Sequence, residues 1–301
     1  MATSQFKIRR AFEQTIGPTK MAYILHLRPL EWPVITVHFL VGSLLATGLE
    51  IRCHTTILGW LVFVLLLNGG TMAINSVFDQ DDGDIGYLRQ PPSPPKYLLH
   101  ISTGMLVASF VIGFRLPTLF AWCNAICVVM SVLYSVPPFR LKSRAGWDLF
   151  VNCLGFGLLT PLAGWGLTGR PVSINIISIV IGFAFLFGAL YPLTQLYQIE
   201  EDRNRKDRTL TIVLGEPTSI MLSISLTIIA HLWFTWGALC CGRNLSPIIV
   251  SLMSWLMVLL PWRAKWRQWT PKQHESGMYK ALAVWAITDI NILVTFWRLQ
   301  C

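Results

Sequence analysis

The sequence predicts an all-α, polytopic membrane protein, and three observations carry that reading. The chain is 53% hydrophobic and 13% charged, against about a quarter charged in an ordinary soluble domain. Apolar stretches long enough to cross hydrocarbon as a helix recur along it. Its basic residues fall on alternate connections, which is the pattern of a chain threaded back and forth through a bilayer.

The 301 residues read as one domain, 1–301. Residues 1–29 form a basic N-terminal segment without the apolar core of a signal peptide, suited to a short interfacial helix. Nine spans follow. The first, 30–49, begins at "LRPLEWP", and the second, 55–78, runs straight into an acidic cluster. The third, 97–114, follows a proline-rich stretch, and the fourth, 117–136, ends where Pro137 and Pro138 begin a basic loop. The fifth is 147–167; the sixth, 172–197, is long and leads into a second acidic cluster. The seventh, eighth and ninth are 217–241, 245–261 and 278–298. With the eighth short and the sixth long, eight and ten spans stay open as counts.

Of the 24 Lys and Arg, 19 lie in the N-terminal segment and the 2–3, 4–5, 6–7 and 8–9 loops, leaving 5 on the other side. This asymmetry puts the N-terminus and those four loops in the cytoplasm. It also accounts for the net charge of +9 as topology, so no nucleic-acid partner is expected. Seven scattered cysteines show neither a CxxC pair nor a Cys/His ligand spacing, which excludes a zinc site and a disulfide framework.

Thirteen of the fifteen Asp and Glu lie on the same cytoplasmic side or just inside it, and eight of them form two dense groups. The first is "AINSVFDQDDGDIGYLRQPPSPP", residues 73–95; the second is "YPLTQLYQIEEDRNRKDRTLTIVLG", residues 191–215. Asn75-x3-Asp79-x4-Asp84 matches Gln198-x3-Asp202-x4-Asp207, an amide followed by two carboxylates, so the pair looks like an internal repeat. Each group prolongs a polar helix face. Asn68, Thr71, Asn75 and Asp79 share one face of span 2, and Tyr191, Gln195, Gln198 and Asp202 share one face of span 6. Polar side chains inside a bilayer turn to the bundle interior or a wet cavity, so two such stripes are expected to line one pocket near the cytoplasmic surface. Taken singly, either cluster reads equally well as solvated caps with interhelical amides; two matched clusters favour a site.

Carboxylates and amides without nearby His or Cys are hard oxygen ligands that suit Mg²⁺. Mg²⁺ takes one or two carboxylates and completes its shell with substrate phosphates. The expected ligands are Asn75, Asp79, Asp202 and Asp207, with either Asp81 or Asp84 completing the first set. Arg89 follows the first cluster, Arg203, Arg205, Lys206 and Arg208 surround the second, and "YSVPPFRLKSRAGWD" brings Arg140, Lys142 and Arg144. Arginine forks match phosphate oxygens, so these three loops together point to a bound diphosphate. For each cation alone, topology is explanation enough. Asp289 in span 9 is read as functional or as a packing carboxylate, and His38 and His231 as core groups without obvious partners.

With these motifs the chain resembles the UbiA superfamily of intramembrane prenyltransferases. The resemblance rests on the nine spans, "LRPLEWP", the NxxxD motif after span 2, "YSVPPFRLKSR" in loop 4–5 and "DRTLTIVLG" after span 6. It implies a bundle around a central cavity under a cytoplasmic cap, and Mg²⁺-dependent ionisation of an isoprenyl diphosphate with transfer of the prenyl group to a small-molecule or lipid acceptor. It implies membrane lipids as surroundings and no obligate protein partner. Asn75, Asp79 and Asp202 match the family's ligands; Asp79, Asp202 and Tyr134 are the expected catalytic residues. Arg89, Arg140, Lys142, Arg208, Asn68, Gln195 and Gln198 are expected to face the substrate. Two positions depart from the pattern: Gly83 stands where the first motif has its final aspartate, and Gln198 where the second is usually acidic. These departures keep a terpene cyclase on the same scaffold as the alternative; a transporter of ions or lipid diphosphates is a third reading, opposed by carboxylates gathered at one surface.

Overall fold

The computed structural model describes residues 9, 12–50, 53–79, 84–86 and 88–299. Helix α1 (Pro18–His26) starts at a proline after Gly17, whose φ of 86° suits a residue without a Cβ. It precedes the helices that correspond in order to the predicted spans: α2 (Trp32–Thr47), α3 (His54–Asp79), α4 (Leu98–Gly113), α5 (Thr118–Ser135), α6 (Trp147–Gly166) and α7 (Ile174–Gln195). Two short helices, α8 (Ile199–Asn204) and α9 (Leu210–Leu214), carry the second acidic motif. The series closes with α10 (Glu216–Cys240), α11 (Ser246–Gln268) and α12 (Pro271–Phe296).

Seven of these helices are long and apolar enough to cross a membrane. The other two, α2 and α4, have 16 residues each. At 1.5 Å per residue such a helix reaches about 24 Å, short of a hydrocarbon core of about 30 Å. Both lie inside predicted spans of 20 and 18 residues, and α2 stops early at Gly48, whose φ is 62°. The eighth and ninth spans are longer than expected. The end of α11 and the start of α12 run into charged sequence, where Lys265 and Lys272 are exposed and Arg263 is half-buried. Thr270 and Gln273 form a reciprocal capping box that starts α12 seven residues earlier than hydropathy alone suggests.

Each long helix packs on its neighbour in sequence, and α12 returns to α2 and α7, so the helices close a ring. Helix α2 also lies against α6 at a small-residue crossing. A Cβ on Gly42 would fall 1.8 Å from the Pro161 carbonyl oxygen, and one on Gly164 1.9 Å from that of Phe39. Ser43 Oγ donates to the Gly164 carbonyl at 2.7 Å. Two apolar cores result. One gathers Phe39, Phe63 and Phe120; the other gathers Phe183, Phe234, Trp255 and Trp285. Leu49, Leu232, Met257 and Val294 are exposed on the outside, as a lipid-facing surface requires.

Helices α3 and α6 each contain a π-helical stretch, at Leu61–Asn68 and Cys153–Leu159. The wider turn shifts the helix face part way along, and such stretches concentrate at functional sites. Here both border the interior cavity.

Candidate active site

A cavity opens at the end of the ring where α3 and α7 finish. Asn75 and Asp79 line it from the last turns of α3, and Gln198, Asp202 and Asp207 from the second acidic motif. The local fold explains why both carboxylates of that motif face inward. Helix α8 ends at Arg205, and Lys206 adopts a left-handed φ of 61°. The turn lets Asp207 donate its backbone N–H to the Asp202 carbonyl at 3.0 Å, which swings the Asp207 side chain back to the cavity.

Loop 4–5 delivers the cations. Arg140 sits at φ 37°, and its guanidinium spans the two motifs, with Nη1 at 2.8 Å from Asp207 Oδ1 and Nη2 at 3.4 Å from both Asp207 Oδ2 and Asp79 Oδ1. Lys142 donates to Asp79 and, at 2.7 Å, to Asn75 Oδ1. Ser135 at the end of α5 donates to the same amide oxygen at 3.1 Å. Asp202 pairs with Arg205 at 3.3 Å. Burial pushes its carboxyl up to about 6; Arg205 opposes the shift, while Asp207, Glu201 and Asp79 add to it.

The donor set fits a hard divalent cation. Asn75 Oδ1 and an Asp79 oxygen converge on one positive charge, the Lys142 ammonium, which stands where a metal would find both. No three His, Cys, Asp or Glu side chains among the described residues are grouped closely enough to hold a metal alone. A metal here would therefore complete its shell with waters and substrate oxygens, as Mg²⁺ does.

The predicted residues divide clearly. Asn75, Asp79, Lys142, Gln198, Asp202, Asp207 and Tyr134 share the cavity, and Arg140 bridges its two acidic walls. Asp84 and Arg89 lie elsewhere. Arg89 bonds Asp84 at 3.1 Å and Glu275 of α12 at 3.0 Å, and the second Asp84 oxygen accepts from the Gln90 backbone at 2.9 Å. Arg208 is exposed; its backbone N–H ties loop 6–7 to the Ser143 carbonyl at 3.1 Å. Asp81 falls outside the described residues. Gln195 lines the cavity, but its amide is spent on structure: it donates to Asp148 and the Tyr191 hydroxyl and accepts from Thr211. Asn68 lies deeper, in a second, smaller compartment that shares Ile35, Tyr134, Asn152 and Phe156 with the main cavity.

Asp148 is the residue the sequence reading passed over. It is fully buried and accepts from the Gly146, Leu149 and Leu210 backbone N–H groups and from Gln195, at 2.8–3.0 Å. It thereby fastens loop 4–5, α7 and α9 into one rim. The available signal was an acidic residue just inside a helix start after glycine. A chain of contacts continues from Gln195 to Tyr191 and on to Tyr134, whose hydroxyls are 2.9 Å apart. Glu31 and Arg28, 3.7 Å apart, complete the wall beneath α2. Away from the cavity, His38 Nδ1 and Asp289 Oδ1 meet at 3.0 Å, both buried. His231 meets Ser251 at 2.9 Å.

The UbiA prenyltransferase family model matches residues 35–285. The bacteriochlorophyll synthase 33 kDa chain of Cereibacter sphaeroides is 25% identical over 256 residues, 81% of this chain and 84% of that one. A UbiA homologue from Archaeoglobus fulgidus, solved bound to DMAPP and Mg²⁺, superposes with a TM-score of 0.71 at 18% identity, over 89% of this chain and 99% of that one. A structure described for digeranylgeranylglyceryl phosphate synthase in membranes gives 0.69 at 14% identity, over 93% and 99%. At such identities the two structures speak for the fold.

Proposed function

The chain belongs to the UbiA prenyltransferase family, and on that basis we propose that its cavity ionises an isoprenyl diphosphate with the help of Mg²⁺ and passes the prenyl group to a membrane-soluble acceptor. The observation that carries this reading is the meeting of both acidic motifs with Arg140 and Lys142 in one cavity. Relatives add support: the Archaeoglobus homologue was solved with an isoprenyl diphosphate and Mg²⁺. The positive-inside pattern supports a cytoplasmic opening.

Asn75, Asp79, Asp202 and Asp207 would hold the metal, and its chemistry when bound is Lewis-acid stabilisation of charge on the leaving diphosphate. Arg140 and Lys142 supply fixed positive charge to the same oxygens, which acts most strongly where charge develops. The C1–O bond breaks with its electron pair leaving on the diphosphate. The acceptor atom contributes the pair for the new bond to C1, and the proton it loses passes to the diphosphate or to water. Tyr134, held by Tyr191, fixes the cavity wall beside the reacting carbon. Phe156, Phe187, Leu190, Met278 and Leu282 keep water from the allylic cation. Gln198 offers an amide oxygen where a carboxylate is usual.

The test is diphosphate release by purified protein given geranyl, farnesyl or geranylgeranyl diphosphate with a membrane-lipid extract. Release and a prenylated adduct should stop on chelation and return with Mg²⁺. Full turnover in verified excess chelator would overturn metal-assisted ionisation. A cyclic product accumulating without any acceptor would replace transfer by cyclisation.

A further inference from the structure

The turn from α11 to α12 lies on the same side of the ring as the acidic motifs but outside their cavity, and it gathers positive charge around an open pocket. Arg263, Lys265, Trp266, Arg267 and Gln268 line it, with Pro217 from the start of α10. The turn is firmly anchored. Its chain tightens into a 3₁₀ turn over Trp266–Gln268, and Trp269 stacks on the fully buried Trp262 at 5.2 Å. Trp262 Nε1 in turn donates to His274 Nδ1 at 2.9 Å. Among the described residues no carboxylate lines the pocket; Glu216, beside Pro217, faces His274 Nε2 at 3.7 Å. Arg267 sits over the Trp266 ring at 5.2 Å. Arg263 is half-buried, and its Nε is closed off from solvent with no acceptor. Membrane topology asks for positive charge somewhere on this side. It does not ask for a guanidinium sunk into the turn with a donor left over, which costs free energy until an acceptor arrives.

We propose that this turn binds the phosphate of an anionic phospholipid, with Arg263, Lys265 and Arg267 holding the headgroup and the acyl chains lying along α11. Guanidinium groups match phosphate oxygens, and a lining without a carboxylate offers nothing to the ammonium of a zwitterionic headgroup. A free phosphate shares the same chemistry; what favours the lipid is the helix below. Helix α11 is the least buried of the seven crossing helices. Met253, Met257, Leu260 and Ala264 follow one another at helical steps and so share one face. All four are exposed, and Ala264 reaches the pocket. An apolar strip therefore runs from the bilayer into the cationic pocket, and Trp266 supplies the kind of ring that settles at the membrane interface. A soluble anion would use none of this.

Native mass spectrometry of the full chain tests this. The protein is released from a neutral detergent holding equal amounts of dioleoylphosphatidylglycerol and dioleoylphosphatidylcholine, which differ only in their headgroups. The first lipid retained should be phosphatidylglycerol by about tenfold or more, the scale that two or three cations near an anionic headgroup supply. Arg263→Gln/Lys265→Gln should bring that ratio to within about threefold of unity. Lys20→Gln/Lys96→Gln, which removes two exposed cations elsewhere on the side assigned to the cytoplasm, should leave it unchanged. If the first variant does not fold, Lys265→Gln/Arg267→Gln, which alters only exposed side chains, carries the comparison. A ratio near one for the unaltered chain, a ratio that survives the pocket variants, or an equal loss in the control pair overturns the proposal. So does displacement of the phosphatidylglycerol by equimolar glycerol 3-phosphate, which would make the pocket a site for soluble phosphates.

Discussion

Asp79 is met by two cations from loop 4–5, Lys142 and Arg140, whereas Glu201, which does not line the cavity, pairs at 3.5 Å with Arg205. That contrast sets the first expectation. Asp79→Ala and Asp202→Ala should each lower turnover by at least about a hundredfold, the usual scale for lost electrostatic stabilisation. Glu201→Ala should cost less than about fivefold, since its half-buried ion pair lies off the inward face, with all three proteins checked for equal melting temperature. Arg140→Ala should fall with the first group and Arg208→Ala with the second, because only Arg140 spans the motifs. The separation shows what was legible. Helical spacing put Asn75, Asp79 and Asp202 on inward faces, and they line the cavity. Arg89 and Asp84 were grouped with them by nearness in sequence. Arg89 is drawn away by Glu275 of α12, 186 residues further on, and takes Asp84 with it; local spacing carries no sign of so distant a contact.

Helices α3 and α6 show the same division among elements. Hydropathy finds both, but not the π-helical turns, which arise from how the bundle packs, nor the role of Asp148. With four donors aimed at its two oxygens, Asp148→Asn turns one acceptor into a donor facing donors. It should destabilise the protein by about 1–3 kcal/mol, read as a lower melting temperature in detergent. The α2–α6 crossing is equally unforgiving. Gly164→Ala places a methyl 1.9 Å from the Phe39 carbonyl oxygen, and since that neighbour is backbone, the helices must part. A loss of about 1–3 kcal/mol or more follows, measurable by the same melt; an unchanged midpoint would mean that the crossing is looser than described.

At the scale of the molecule, the charge asymmetry and the helix ring make one joint statement about orientation. Cys240 is exposed at the end of α10, and Glu216 at its start lies on the side of the acidic motifs. A single-cysteine variant retaining Cys240 should therefore react with a membrane-impermeant maleimide from the face opposite the cytoplasm. Labelling only in inverted vesicles would reverse the topology. The ring itself was not visible in the sequence. Nine apolar stretches specify helices, while their order around the cavity depends on contacts such as those of Gly42, Gly164 and Ser43, whose partners no hydropathy profile pairs.

The buried meeting of His38 with Asp289 joins positions 251 residues apart, and this bears on how the protein is made. All the acidic motif residues have been synthesised by Asp207, but α12 supplies Met278 and Leu282 to the cavity wall and Asp289 to the seam. Until that last helix inserts, the nascent bundle exposes a polar flank to lipid, with His38 still lacking its carboxylate. Contacts so far apart in the chain close late. Maturation of the site thus waits on α12, and a chain stopped just before that helix would carry every acidic motif residue around a cavity still missing the wall of Met278 and Leu282.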